Sequence, residues 1–379
     1  MNIAFANRKD CMTLSGGDTI QMIKTKEHLE KIDNSLNIEI ILNPDLIKDS
    51  TANIIHIFNI QSIDETLDYI KECKKYNKKV VLSTIYWDLS HSTYVNYVSG
   101  KYNRFSYNKV DYDICKSVLK LVNFKYRITN KNKDFLGSKI YNSKRKQALI
   151  EADLLLPNSD EELEIISNEF DIPLNELKLK SISVPNAIDT NLLSTETSTT
   201  PLEIANLSDF VLCVSRLEPN KNQMGILKAL FKSPEIPIVL IGKHANKKYS
   251  SQVKKIAEKR GNVYLIDEIK HDALFNIYKK AKVHVLASFR ESPGLVTLEA
   301  LAAGCEIVTA SDEYCPAKFY EFDKYAHICD PYNIKSIKNA ILEAYKEKRN
   351  TITKEYLHKF SYHNAAQITY SAYQNLEGK

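Results

Sequence analysis

The sequence predicts an α/β protein of two doubly wound parallel sheets, and three observations carry that prediction. The chain has 379 residues, too many for one domain at roughly 100 to 200 residues each. Short apolar runs of strand length alternate with amphipathic stretches of helical period, the pattern of parallel strands covered by helices on both faces. The alternation stops in a Ser/Thr-rich segment without hydrophobic period and then starts again. With 44% hydrophobic and 26% charged residues, neither a disordered tail nor a membrane-embedded bundle fits.

In chain order, residues 2–6 read as a strand, followed by a polar loop ending in Ser15, Gly16, Gly17 and Asp18 and a helix over 19–29. Residues 38–42, 54–58 and 79–83 read as buried strands, with a helix over 63–75 between the last two. A short strand at 154–157 precedes Asn158, Ser159 and Asp160, which are capping residues for a helix over 161–169. After the Ser/Thr-rich stretch, strands are expected at 210–214, 236–241, 263–266, 283–287 and 306–310. Helices at 222–231, 250–260, 272–280 and 295–303 fall between them, and helical segments at 334–349 and 353–376 close the chain. The division expected is an N-terminal domain 1–190, a linker 191–206, a C-terminal domain 207–352 and a terminal helical segment 353–379. Ligands of open α/β sheets bind at the carboxyl ends of strands, so two such sheets facing one another would share a cleft.

The longest apolar stretches, such as 236–241, are far short of the roughly 20 residues a membrane-spanning helix needs. Seven scattered cysteines without a CxxC pair, and a start unlike a signal peptide, predict reduced thiols in the cytoplasm.

The chemistry concentrates in SFRESPGLVTLEALAAG, residues 288–304. Pro293-Gly294 breaks the helical period, which puts Glu291 on the loop leaving a strand and Glu299 in the first turns of the next helix. The helix N-terminus at Gly294, Leu295 and Val296 offers free N–H groups to a phosphate. A carboxylate beside a phosphate is favourable when it accepts hydrogen bonds from neutral hydroxyls, so Glu299 suits a ribose diol. Glu291 suits sugar hydroxyls or a positive charge developing at an anomeric carbon. Taken alone, two solvated surface acids would explain the same residues. The balance tips at VSRLEPNKN, residues 214–222, where Arg216 and Lys221 follow a buried strand and can neutralise a departing diphosphate.

Together these segments resemble glycosyltransferase family 4, retaining nucleotide-sugar enzymes of the GT-B fold, in which two Rossmann-like domains face an interdomain cleft. SRLEPNKNQ resembles the family's arginine and lysine loop, and ESPGLVTLEALAAG its paired-glutamate motif. SGGDTIQ resembles the glycine loop that lies near the transferred group, and VPNAID at 184–189 resembles an interdomain VPNGVD. The resemblance implies that Arg216 and Lys221 contact the donor diphosphate, Glu291 the donor sugar and Glu299 the ribose, with Gly16 and Gly17 close to the transferred group. It implies a hexosyltransferase that moves a sugar from a UDP- or GDP-sugar to a hydroxyl acceptor with retention, in surface polysaccharide or glycoconjugate synthesis, with no cofactor beyond the donor. The N-terminal domain would bind a saccharide, lipid-linked or protein-linked acceptor, and domain closure would exclude water. Another GT-B sugar-nucleotide enzyme, such as an epimerase or phosphorylase, and a non-catalytic partner subunit share the same motifs.

The chain departs from the family pattern in three places. Ser215 stands where glycine is usual before the arginine, and Pro293 where an aromatic is usual. The histidine that the family often places directly after the strand corresponding to 79–83 is missing, and His91 lies slightly further on, which leaves Tyr86, Trp87, Asp88 and His91 as acceptor-side candidates; the only tryptophan suits a core position equally.

Residues 101–150 hold thirteen Lys/Arg against three acids, with interleaved aromatics, in a chain whose formal net charge is +5. That segment suits anionic lipid headgroups on the inner face of the cell membrane, or a diphosphate-linked acceptor, as well as it suits a solvated lysine-rich face. No nucleic-acid motif accompanies it. Asp111-Tyr112-Asp113 spells a DxD but follows no convincing buried strand, and no His/Cys grouping has zinc spacing. Metal-independent catalysis is the expectation.

Overall fold

A computed structural model describes residues 1–14, 16–102, 104–126, 139–190, 200–348 and 351–378, the side chains at 119–126, 139–141 and 272 excepted. In chain order the first half contains β1 (Ile3–Ala6), α1 (Gly17–Ile32), β2 (Glu39–Ile41), β3 (Ile54–Phe58), α2 (Ile63–Lys75) and β4 (Lys79–Ser83). It continues with α3 (Ser90–Tyr102), α4 (Lys109–Tyr126), α5 (Lys139–Glu151), β5 (Leu154–Leu155), α6 (Asp160–Phe170) and α7 (Leu174–Lys178). The second half contains β6 (Phe210–Val214), α8 (Gln223–Ala229), β7 (Ile238–Ile241), α9 (Lys247–Arg260), β8 (Val263–Ile266), α10 (His271–Lys280), β9 (Ala281–Leu286) and α11 (Leu295–Ala302). Then come β10 (Glu306–Ala310), α12 (Phe322–Tyr325), β11 (Ala326–Cys329), α13 (Ile334–Lys346), α14 (Lys354–Lys359) and α15 (Tyr362–Glu377).

The chain divides into two compact units, one of Met1–Trp87, Gly137–Ile188 and Lys354–Lys379, the other of Asp88–Leu136 and Asp189–Thr353. The first holds a parallel sheet in the order β2-β1-β3-β4-β5, with Phe5 opposite His56 and His56 opposite Val81. All five residues of β3 are buried, as a central parallel strand requires. Helix α2 covers the sheet with Ile63, Thr66, Tyr69, Ile70 and Cys73, the stripe produced by steps of three and four. The chain returns here at its end: α15 packs against α1, and Ala366 and Tyr373 share a core with Phe5, Met22, Leu29 and Phe58. His56 fixes this contact, with Nδ1 at 2.6 Å from the Tyr373 hydroxyl and Nε2 at 2.8 Å from Ser83 Oγ. Burial pushes its imidazole down to about 3, so it is neutral.

The second unit holds a parallel sheet in the order β11-β10-β9-β6-β7-β8. Strands β6 and β7 are buried throughout and pair Val211–Ile238 to Val214–Ile241. Asn333 caps α13 by accepting from the Lys335 and Ser336 amides.

Sequence periodicity did not assign residues 84–153, where α3, α4 and α5 lie, because their apolar faces are interrupted by serines, tyrosines and lysines. It also passed over β11, a four-residue strand of mixed burial at the sheet edge. The helix expected over 334–349 ends at Lys346, and the one expected over 353–376 is broken into α14 and α15. The break has a partner: Ile188 N donates to Phe360 O at 2.9 Å and accepts, through its carbonyl, from Tyr362 N at 3.3 Å. Of the linker 191–206, residues 191–199 lie outside the described residues, as do 103 and 127–138 of the basic segment 101–150.

Candidate functional site

The carboxyl edge of the second sheet is built by loops that hold one another. Ser215 N donates to Ile241 O, and Gly242 N to Ile266 O, so the chains leaving β6, β7 and β8 stay in register past their last paired residues. Gly242 has φ +145, and a Cβ there would lie 2.2 Å from Ser215 O, which only glycine avoids. Gln223 Nε2 then donates to Ser215 Oγ and Arg216 O, both at 2.9 Å, tying the start of α8 to the arginine backbone.

Lys221 ends a short 3-10 turn, Pro219–Lys221, and the left-handed Asn222 (φ 54) starts α8 while its side chain donates to Pro331 O. Asn220 stitches this turn to the loop after β9, donating to Arg290 O at 3.1 Å and accepting from Phe289 N at 2.9 Å. The neighbouring Glu291 N donates to Tyr314 O at 2.8 Å, which ties in the loop after β10. These contacts set Lys221 Nζ 2.6 Å from Glu291 Oε1, with the two side chains only 17% and 8% exposed. The ammonium and carboxylate hold each other where few waters reach.

Gly294, at φ +89, precedes α11, and a Cβ on it would meet Leu286 Cδ2 at 2.7 Å and Glu291 Oε2 at 3.4 Å. The backbone at the start of α11, where Leu295 and Val296 are half-buried, therefore passes directly beside Glu291. Glu299 lies one turn on and is buried. His271 Nε2 is 2.7 Å from its Oε1, and the Tyr278 hydroxyl donates to its Oε2 at 3.2 Å. Burial beside that carboxylate raises the Tyr278 hydroxyl well above its usual range, so it remains a donor. His271 is half exposed on the first turn of α10. Arg216 pairs with Glu218 at 3.2 Å and is 65% exposed, a weak contact that leaves the guanidinium free to turn to a ligand.

The first unit carries the glycine loop. Gly16 caps α1, and a Cβ on it would lie 2.7 Å from Asp18 Oδ1; nothing lies within 4 Å of one on Gly17. Arg8 Nε donates to Asp18 Oδ2 at 3.0 Å and its Nη1 to Asp10 at 2.6 Å, while Thr19 Oγ1 donates to Cys11 O. Ser15 lies outside the described residues.

The four acceptor-side candidates divide between the two units. Tyr86 and Trp87 are core residues of the first unit; the Tyr86 ring packs on Phe170 and its amide donates to Glu162 Oε1 at 2.8 Å. Asp88 accepts from Ser90 N at the start of α3. His91 belongs to the second unit, stacked on Tyr112 at 4.0 Å with Nδ1 3.0 Å from the Tyr332 hydroxyl and Nε2 3.2 Å from Glu313. Burial holds its imidazole down at about 4.

Asp111 and Asp113 sit two apart on α4, a spacing that turns them to different sides of the helix; Asp111 pairs with Arg104. Among the described residues, donor atoms of Glu306, His327 and Glu347 lie within 4.8 Å of one another, close enough for a cation. Glu306 starts β10, so this grouping is at the opposite end of the strand from the loop that reaches Glu291. No described helix is long and apolar enough to cross a membrane. All seven cysteines are free thiols, six of them buried.

Sequence reasoning missed His271 and Tyr278 as partners of Glu299. Their spacing of seven residues on one helix beside the glutamate helix was the only available signal.

Residues 195–365 match the family model described as glycosyl transferases group 1. No curated protein matches the chain. Among solved structures, sucrose-phosphate synthase from Thermosynechococcus elongatus superposes with a TM-score of 0.70 at 14% identity, over 100% of this chain and 99% of that one. Anabaena HepE in complex with UDP gives 0.63 at 15% identity, over the whole of both chains. The lipopolysaccharide outer core galactosyltransferase WaaB, in its apo form, gives 0.63 at 12% identity, over 99% of this chain and 100% of that one.

Proposed function

We propose that this chain, a glycosyltransferase enzyme of the GT-B fold with a group 1 glycosyl transferase domain over residues 195–365, moves a sugar from a nucleoside-diphosphate sugar to a hydroxyl acceptor with retention, in the manner of family 4. The observation that carries the reading is the Lys221–Glu291 pair beside the start of α11, with Glu299 one turn further along the same helix. Three positive elements can meet a diphosphate there: Lys221, the exposed Arg216 guanidinium and the N–H groups at Gly294, Leu295 and Val296.

In this reading the diphosphate takes over the ammonium of Lys221 and releases Glu291 to the sugar, where it accepts hydroxyls and faces the positive charge growing at the anomeric carbon. Glu299, fixed by His271 and Tyr278, keeps lone pairs for the ribose diol. Departure of the diphosphate is eased by charges already in place, so the acceptor hydroxyl can attack the anomeric carbon from the same face as the sugar–phosphate bond breaks, passing its proton to the departing diphosphate oxygen, without a protein nucleophile. Arg216 and Lys221 supply the charge that a cation would otherwise provide, which supports metal-independent transfer. That HepE, a structure of the same fold, was solved with UDP supports a UDP-sugar as the donor.

The first unit is assigned the acceptor, with Gly16 and Gly17 at the carboxyl edge of its sheet. Seven free thiols suit the cytoplasm. Contact with an anionic membrane face through segment 101–150 is supported by its basic charge and by the exposed Val110, Ile114 and Val118 along α4. The test is turnover in an Arg216→Ala variant: loss on the order of 100-fold or more is expected, as for other preorganised charge contacts, and unchanged turnover would sink the assignment.

A further inference from the structure

A cavity of about 420 Å³ opens in the first unit where β3 hands over to α2, lined by Gln61, Ser62, Ile63, Asp64, Glu65 and Arg145. Its size falls in the roughly 300 to 1,000 Å³ range of small-molecule sites. Arg145, on α5, is only 7% exposed. Its Nε donates to Ile60 O at 3.4 Å and its Nη1 to Asn142 Oδ1 at 3.3 Å, both long bonds to neutral groups. No carboxylate among the described residues pairs with it. A buried guanidinium without a counter-charge is costly, and proteins pair such groups unless a ligand does so.

The same cavity receives the N-terminus of α2, thirteen residues long, whose N-cap Ser62 makes no side-chain capping bond. The first amides of that helix are therefore left for another acceptor. Each acid in the lining has one oxygen held by a neighbour other than Arg145: Lys144 Nζ holds Asp64 Oδ1 at 2.5 Å, and Glu65 Oε1 accepts from Lys9 N at 3.3 Å. That second bond links the cavity to the β1–α1 loop that carries Gly16 and Gly17, on the same carboxyl edge of the sheet.

The geometry points to an anion subsite for the acceptor: Arg145 and the α2 N-terminus take a phosphoryl group, and Gln61, Asp64 and Glu65 take hydroxyls of the sugar that bears it. A bare phosphate would leave most of the cavity and all of its acceptors unused, whereas a sugar phosphate uses both. The inference rests on the glycosyl-transfer reading only in calling this ligand an acceptor. Its phosphoryl group belongs either to a soluble sugar phosphate or to a phosphosugar headgroup on a lipid.

The test is thermal unfolding of the full chain with glucose 6-phosphate, inorganic phosphate or glucose, and flotation with phosphatidylcholine vesicles carrying phosphatidylinositol. Because phosphate also suits the donor cations, wild type is compared with Arg145→Gln and with Lys221→Ala. Glucose 6-phosphate is expected to stabilise wild type and Lys221→Ala, more than inorganic phosphate does. In Arg145→Gln the half-saturating concentration rises roughly 10- to 100-fold. Without ligand Arg145→Gln is expected to be at least as stable as wild type, since an unpaired buried charge has gone. Should Arg145→Gln fail to fold, Arg145→Lys keeps the charge and loses the fork, and its weakened response serves instead.

Arg145-dependent flotation without a soluble response assigns the ligand to a lipid; a soluble response assigns it to a free sugar phosphate. A response that survives in the Arg145 variant, or no response in either arm, overturns the inference. Stabilisation by sugar nucleotides but not by phosphates would remove this subsite and leave the transfer reading standing. The converse would remove the transfer reading and leave the subsite.

Discussion

Removing one member of the Lys221–Glu291 pair strands the other. At 2.6 Å and an effective dielectric of about 20, the attraction is about 6 kcal/mol, much of which offsets the loss of hydration. Glu291→Leu leaves an ammonium that is 17% exposed, and Lys221→Met leaves a carboxylate that is 8% exposed. Each single change is expected to lower the stability of the second unit by about 3 kcal/mol. The double variant Lys221→Met/Glu291→Leu replaces the pair with apolar groups and should lie within about 1 kcal/mol of wild type. Urea unfolding followed by circular dichroism is the suitable assay, because the only tryptophan, Trp87, belongs to the first unit and is blind to this change. Donor-dependent stabilisation, by contrast, should be lost in all three variants, including the one whose stability recovers. Single variants within about 0.5 kcal/mol of wild type, or a double variant as unstable as the sum of the singles, would refute the reasoning.

Acid should destabilise the fold before its carboxylates protonate. Burial holds His56 and His284 down at about 3 and His91 at about 4, against about 6.5 unfolded, so the unfolded chain binds more protons below pH 6.5. Stability contributed by these neutral rings is complete above pH 6.5, falls by roughly 1.4 kcal/mol per pH unit for each histidine below it, and levels off near pH 4 for His91 and near pH 3 for the other two. Urea midpoints between pH 7 and 5 check this, and replacing His284, whose ring nitrogens have no hydrogen-bond partner among the described residues, in His284→Phe should remove about a third of the three-histidine slope. Gly242→Ala should cost about 3 kcal/mol and weaken donor binding by displacing Ser215 and Arg216. Gly261→Ala, at φ +73 and ψ 168 with open space around it, carries backbone strain alone, should cost about 1 to 3 kcal/mol and should leave donor binding intact. Chemical denaturation of the two variants side by side separates strain from collision.

Much of this site was legible because its members are close in sequence or carry local signals. Pro293-Gly294 announced the break between Glu291 and Glu299, and the apolar run 210–214 announced the strand that delivers Arg216 and Lys221. The direct Lys221–Glu291 contact was not legible, since it joins residues seventy positions apart through the adjacency of β6 and β9. The anchoring of Glu299 by His271 and Tyr278 likewise depends on how α10 lies beside α11. Tyr86 and Trp87 look like ligand-facing aromatics in the sequence, yet their apolar area is buried in a core that no local pattern reveals. Arg145 was one cation among thirteen in its segment; only the fold shows it buried and, among the described residues, without a carboxylate partner.

The central claim is that the second sheet's carboxyl edge binds a nucleoside-diphosphate sugar through Glu299 and its neighbours. It is tested most directly by thermal unfolding of wild type and Glu299→Ala against UDP-, GDP-, ADP- and TDP-sugars with EDTA present, since binding to the folded state must raise its stability. The account predicts that one nucleotide, a UDP-sugar, stabilises wild type in EDTA and does so at least about tenfold less effectively in the variant, the worth of about one charge-assisted hydrogen bond. No stabilisation by any of them, or an equal response from both proteins, would contradict it.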